Sequence, residues 1–120
     1  MLLVEDDPDI REAITEILRD EGYRVLGAEH GRQALDLLRE GARPALILLD
    51  LMMPVMNGWQ FREAQKADAS LAPIPVVVIS ADAAAAREAV HIGASAFLQK
   101  PIDLDELLGT VARYCPPPVG

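Results

Sequence analysis

Residues 45–54 read Ala45-Leu46-Ile47-Leu48-Leu49-Asp50-Leu51-Met52-Met53-Pro54. Five apolar residues run without a break and stop at a single carboxylate, Asp50. A short unbroken apolar run bounded by Pro44 and a turn predicts a strand over Ala45–Leu49 that is buried on both faces, as in a parallel sheet. Asp50 then stands where that strand emerges, at its carboxyl end. In open α/β sheets this is the edge where ligands bind.

Downstream, Met53-Pro54-Val55-Met56-Asn57-Gly58 reads as a loop with turn chemistry at Asn57-Gly58. A third helix is predicted from about Trp59 to Ala69. Val76-Val77-Val78-Ile79 is β-branched throughout and reads as a fourth strand ending at Ser80. Asp82 to Ile92 reads as an alanine-rich helix stopped by Gly93, and Ala96-Phe97-Leu98 as a fifth strand ending at Gln99-Lys100-Pro101. Asp103 caps a last helix with Leu104, Leu107, Leu108, Val111 and Ala112 on one face.

Upstream, Leu2-Leu3-Val4 reads as a first strand that runs into Glu5-Asp6-Asp7. Asp7-Pro8 is a helix start, with Asp as N-cap and Pro in the first turn. Ile10, Ala13, Ile14, Ile17 and Leu18 follow at helical spacing, and Gly22 ends that helix in a left-handed cap. Tyr23 to Ala28 reads as a second strand. Gly31 opens a second helix with Ala34, Leu35 and Leu38 on one face, closed by Gly41 and Pro44. Strand and helix thus alternate five times, the pattern of a doubly wound α/β sheet with helices on both faces.

Composition bounds the function. The chain has 120 residues, 51% hydrophobic and 25% charged, which suits one domain with one core. A net charge of −8 argues against nucleic acid as a direct partner, since phosphate contacts need clustered Lys and Arg. It favours a protein partner or a divalent cation. The one cysteine, Cys115, cannot pair within the chain and fits a reduced, cytoplasmic setting. No apolar run approaches the roughly 20 residues of a membrane span, and Met1 does not open a signal-peptide pattern. Residues 1–115 read as the domain, and 116–120, which include Pro116-Pro117-Pro118, as a proline-rich tail or the start of a linker.

In a parallel sheet, Glu5 and Asp6 after strand one, Asp50 after strand three, Ser80 after strand four and Lys100 after strand five share one edge. Three close carboxylates repel, so either one is protonated or a cation sits among them. A hard divalent ion such as Mg2+ suits an all-oxygen set. With a carboxylate nucleophile, a metal, an ammonium and a hydroxyl, these are the parts for phosphoryl transfer.

Val4-Glu5-Asp6-Asp7, Leu48-Leu49-Asp50-Leu51-Met52-Met53-Pro54, Asn57-Gly58, Val78-Ile79-Ser80-Ala81 and Gln99-Lys100-Pro101 closely resemble the receiver domain of two-component response regulators. The resemblance covers essentially the whole chain, with each motif in order and at family spacing. It implies a flavodoxin-like (βα)5 fold with strand order 2-1-3-4-5. By the same resemblance Asp50 looks like the phosphoacceptor, served by a histidine kinase or a histidine phosphotransfer protein. Glu5 and Asp6 look like the acidic pair of a Mg2+ site, Asp6 ligating directly and Glu5 through water, with the Met52 backbone carbonyl completing the protein ligands. Ser80 looks like the switch hydroxyl, Lys100 like the lysine that pairs with the phosphoryl group, and Phe97 like the switch aromatic. A cis Lys100–Pro101 bond is implied as well. The expected output surface, towards an output domain, a downstream protein or a second copy in a homodimer, is the fourth helix, fifth strand and fifth helix.

Two positions depart from the family pattern. Glu5 stands where Asp is commoner, and Phe97 where Tyr is frequent, so a switch through Phe97 is read by packing alone. Blander roles compete with these. Asp7 suits helix capping, and Phe97 suits plain core packing. His30 and His91 read as surface residues, without a cysteine or second histidine at ligand spacing. Met52 and Asp82 are expected beside the pocket. A phosphatase with an aspartyl nucleophile would want a second Asp at position 52, where Met stands. A flavin or dinucleotide carrier would want glycines in the Glu5-Asp6-Asp7-Pro8 turn. A pseudo-receiver would lack some of the acidic or lysine positions, all of which are present.

Overall fold

The structure, a computed structural model, describes residues 1–53, 55–91 and 93–115. Pro54, Ile92 and the proline-rich tail at 116–120 lie outside the described residues. The elements alternate as β1 (Leu2–Val4), α1 (Pro8–Asp20), β2 (Leu26–Ala28), α2 (Gly31–Arg39), β3 (Ile47–Asp50), α3 (Gly58–Ala67), β4 (Val76–Ser80), α4 (Ala83–His91), β5 (Ala96–Gln99) and α5 (Leu104–Tyr114). Every strand pair is parallel, and the order is β2-β1-β3-β4-β5. This is the flavodoxin-like order expected from the sequence.

The sheet is apolar on both faces because helices cover both. Successive residues of a strand point to opposite sides, so each strand feeds two cores. Leu2, Val4, Ile47, Leu49, Val76 and Val78 pack with Leu35 and Leu38 of α2, Phe61 of α3 and Ala89 of α4. Leu3, Leu48, Val77, Ile79 and Leu98 pack with Ile14 and Leu18 of α1 and Leu107 and Val111 of α5. Full burial of one such side chain contributes about 1.5–3 kcal/mol, so the central strands anchor the fold even though each is at most five residues long.

The helices start where side chains satisfy their free amides. Asp7 Oδ1 accepts from Asp9 N at 2.9 Å and Ile10 N at 3.3 Å, and Asp103 Oδ1 from Glu106 N at 2.9 Å. Asn57 and Gln60 form a reciprocal capping box at α3. Asp82 Oδ1 accepts from Ala84 N and Ala85 N at the start of α4. His30, expected as a plain surface residue, caps α2: its Nδ1 accepts from Gln33 N at 3.2 Å.

Several boundaries move. β2 is shorter than Tyr23–Ala28 because Tyr23 N still donates to Leu18 O, finishing the α1 cap around Gly22 at φ +93°. Tyr23 and Val25 are buried against the α1 and α5 side of the sheet all the same. β3 begins at Ile47 rather than Ala45 and takes in Asp50, which aligns with Ile79 of β4. α3 begins one residue earlier than expected, at Gly58, and ends at Ala67 rather than Ala69. At Gly58 a Cβ would lie 2.7 Å from Leu51 Cα and 2.8 Å from Asp50 O, so the helix start lies directly on the strand end that carries Asp50.

Candidate functional site

Parallel pairing brings the strand ends into line. Val4 aligns with Leu49, Asp50 with Ile79 and Ser80 with Gln99, so the residues just beyond these positions share one edge. An open pocket of about 300 Å³ lies there, lined by Glu5, Asp6, Asp7, Ile10, Asp50, Met52, Ala81, Asp82 and Lys100.

Lys100 is the shared partner. Its Nζ donates to Glu5 Oε1 at 3.1 Å and to Asp50 Oδ2 at 3.3 Å. Its backbone N donates to Ser80 O at 2.9 Å, which holds the β5 end against β4, and the Lys100–Pro101 bond is cis. Asp50 Oδ1 accepts from Met52 N at 3.0 Å. Glu5 Oε1 also accepts from Asp7 N at 3.4 Å. Glu5 is 0% exposed and Asp50 2% exposed.

Burial dominates the electrostatics. It pushes the Glu5 carboxyl up to about 7, reinforced by the charge of Asp50 and opposed by Lys100. Burial also raises Asp50, against the Met52 amide and the charge of Lys100. At Lys100 burial acts downward, but the hydrogen bond to Glu5 and the charges of Asp50 and Glu5 outweigh it, and its pKa is raised. One ammonium therefore serves two buried carboxylates, with Asp6 exposed beside them.

The set fits a hard cation. Glu5, Asp6 and Asp50 each offer a carboxylate oxygen, and these oxygens lie within 4.8 Å of one another. Glu5 Oε2 is buried and, among the described residues, accepts no hydrogen bond. An orphaned oxygen beside two further carboxylates matches the all-oxygen coordination of Mg2+ better than a soft-metal site.

Two expected residues stand apart from the pocket. Ser80 is buried at the end of β4, but its Oγ accepts from Asp82 N at 3.0 Å, and Ser80 is not among the lining residues. Phe97 is half-buried on β5, beside Val78, and packs on the core side of α2, α3 and α4. Met52 lines the pocket with its side chain exposed and its N–H engaged by Asp50. Sequence reasoning missed Ile10 as a lining residue. Its position three residues after the capping Asp7, on the inward face of α1, was the available signal. An apolar groove of about 270 Å³ adjoins the pocket, sharing Ile10 and Lys100 and continuing along Ile14 and Ile17 of α1 to Ile102 and Leu104.

The family of response regulator receiver domains matches residues 1–112. The chain belongs to this family. Its strand order, helix placement and acidic cluster are those of a signalling receiver of two-component systems. Response regulator Rre1 of Synechocystis sp. is 37% identical over 110 residues, covering 89% of this chain and 47% of that protein. Sporulation initiation phosphotransferase F of Bacillus subtilis is 31% identical over 116 residues, covering 97% of this chain and 93% of that protein. The crystal structure of chemotaxis protein CheY4 of Vibrio cholerae aligns with a TM-score of 0.85 at 32% identity, over 94% of this receiver and 95% of that chain. The receiver domain of sensor histidine kinase PA1611 of Pseudomonas aeruginosa, solved with a magnesium ion coordinated in its active-site cleft, aligns with a TM-score of 0.85 at 30% identity, over 94% and 93% of the two chains. The receiver spans about half the length of the first curated relatives it matches. Among its described residues, no helix is long and apolar enough to cross a membrane.

Proposed function

We propose that Asp50 accepts a phosphoryl group from the phosphohistidine of a kinase or phosphotransfer protein, and that the domain turns over no external metabolite. The observation that carries this reading is the sharing of Lys100 between Glu5 and Asp50 beside the orphaned Glu5 Oε2. Asp50 ends the central strand β3, fixed at Oδ1 by Met52 N, with Oδ2 towards Lys100. A carboxylate oxygen of Asp50 attacks phosphorus, the bond from phosphorus to the donor imidazole nitrogen breaks, and that nitrogen keeps the electron pair and takes a proton. Lys100 neutralises charge on the phosphoryl oxygens. Glu5, Asp6, Asp50 and the Met52 carbonyl would hold Mg2+, which supplies further charge neutralisation at the phosphoryl group when bound. Dephosphorylation is hydrolysis of the same acyl phosphate.

Ser80 Oγ is one bond rotation from its present acceptor role towards Asp82 N. On phosphorylation it turns to donate to a phosphoryl oxygen, and Phe97 packs inward in its place. The changed face is α4, β5 and α5, which presents the signal to an output domain, a downstream protein or a second copy. The groove along α1 continues from the pocket and offers an apolar seat for the donor protein. Residues 1–115 form the receiver, the sequence at 116–120 is a proline-rich tail or the start of a linker, and the setting is cytoplasmic.

Intact-mass measurement after incubation with Mg2+ and acetyl phosphate tests the assignment. The wild type should gain one phosphoryl group and Asp50→Asn none. Equal labelling of both proteins would move the acceptor elsewhere, and labelling of neither, with no beryllofluoride binding by the wild type, would make the pocket incompetent.

A further inference from the structure

One polar contact at the acidic edge lies outside the pocket. Arg11 on α1 donates from Nη1 to the Glu5 carbonyl oxygen at 2.7 Å. The neighbouring strand ends here: Glu5 N donates to Ala28 O at 3.0 Å, and Ala28 is the last residue of β2. To reach the carbonyl, the Arg11 chain passes over Gly27. A Cβ at Gly27 would lie 3.4 Å from Arg11 Cδ and 3.8 Å from its Cγ and Nε. β2 thus has no side chain at the point where Arg11 crosses it.

The Glu5 carbonyl and the Asp6 amide belong to one planar peptide. Holding that carbonyl fixes the plane, and with it the directions in which the Glu5 and Asp6 side chains leave the backbone. These are the two consecutive acids whose oxygens meet that of Asp50 within 4.8 Å. Among the described residues, the pairing of β1 with β2 and the cap at Asp7 do not reach this carbonyl, and Arg11 does.

We propose that Arg11 is a positioning residue for the divalent-cation site, its guanidinium locking the Glu5–Asp6 peptide so that both carboxylates converge on Asp50. The inference rests on the cation-site reading of the pocket. It carries a sign that plain electrostatics does not. Arg11 is itself a cation near a cation site, so by Coulomb's law alone its removal would tighten Mg2+ binding. Loss of positioning weakens it, and losing a supporting contact behind a metal ligand typically costs about 10–100-fold in affinity.

The experiment measures Mn2+ binding by electron paramagnetic resonance, with Mg2+ as competitor, on the full chain as wild type, Arg11→Ala and Arg11→Lys. Thermal unfolding of the same metal-free samples establishes that each is folded. Arg11→Ala should bind about 10-fold more weakly, and Arg11→Lys, which keeps the charge and one donor, should recover part of that loss. Equal or tighter binding by folded Arg11→Ala would overturn the proposal. Gly27→Val changes no charge; its Cβ would only touch Arg11 Cδ at 3.4 Å, and its two methyl groups then press on the Arg11 chain. It serves as the independent variant if Arg11→Ala does not fold, and unchanged affinity in it would count equally against the role. A wild type that binds no metal would instead overturn the cation-site reading, and the role of Arg11 with it.

Discussion

Glu5 has one carboxylate oxygen on Lys100 and the other, among the described residues, on no donor. Its folded-state pKa of about 7 lies above the ordinary 4.5, so the folded chain holds that proton more tightly than the unfolded chain does. The resulting stability is fully present below the ordinary value and is lost as pH rises through the folded value. Asp50, raised first by burial, acts in the same sense. The unfolding temperature of the metal-free protein should therefore drop as pH rises from 4.5 to about 7, Glu5→Gln should flatten most of that slope, and calorimetry across the range checks both. An equally steep slope in Glu5→Gln would assign the effect to other groups. Glu5, Asp50 and Lys100 were legible in the sequence because each follows an apolar strand run and so must reach the same sheet edge. Arg11 was not, because its partner is a backbone carbonyl, a group every residue possesses. The orientation of Ser80 was not legible either, since a single χ1 rotation separates its bond to Asp82 N from any other.

At the scale of elements, the site depends on how α3 meets β3. Gly58 opens α3 against the backbone of Asp50 and Leu51, at distances a Cβ cannot share. Gly58→Ala should cost about 1–3 kcal/mol as overpacking against backbone atoms, measured by urea denaturation, and should slow phosphorylation at Asp50 because the strand end must shift. A variant of wild-type stability would show that the α3 start yields freely. The Asn57-Gly58 turn was readable from composition, while the one-residue-earlier start followed from packing the sequence does not display. The unbroken apolar runs of β1, β3 and β4 announced buried central strands. β2 announced less, because Leu26 is exposed and Gly27 lacks a side chain, so alternation fails where the strand is paired. The His30 cap escaped notice because histidine seldom takes that position, where Ser, Thr, Asp and Asn lead.

For the whole molecule, the proposed phosphorylation at a sheet edge has to act on the distant face of α4, β5 and α5. Lys100 is the natural link, since its side chain serves the pocket while its backbone N holds Ser80 O across β4 and β5. Lys100→Ala should still be labelled at Asp50 but should fail to transmit the change. Amide chemical shifts of residues 80–99, compared with and without acetyl phosphate, should move in the wild type and stay put in the variant. A normal phosphate-dependent shift in Lys100→Ala would remove it from the relay.

The bond between Lys100 and Glu5 joins residues 95 positions apart. Everything between them must be synthesised, folded and docked before the pocket exists. On the function proposed above, a nascent chain still short of β5 has Asp50 but not the ammonium that relays its phosphorylation, and so cannot pass the signal on. The chemistry would thereby double as proof of completion: only a finished domain could be switched on, and fragments clipped before position 100 should be silent rather than falsely active.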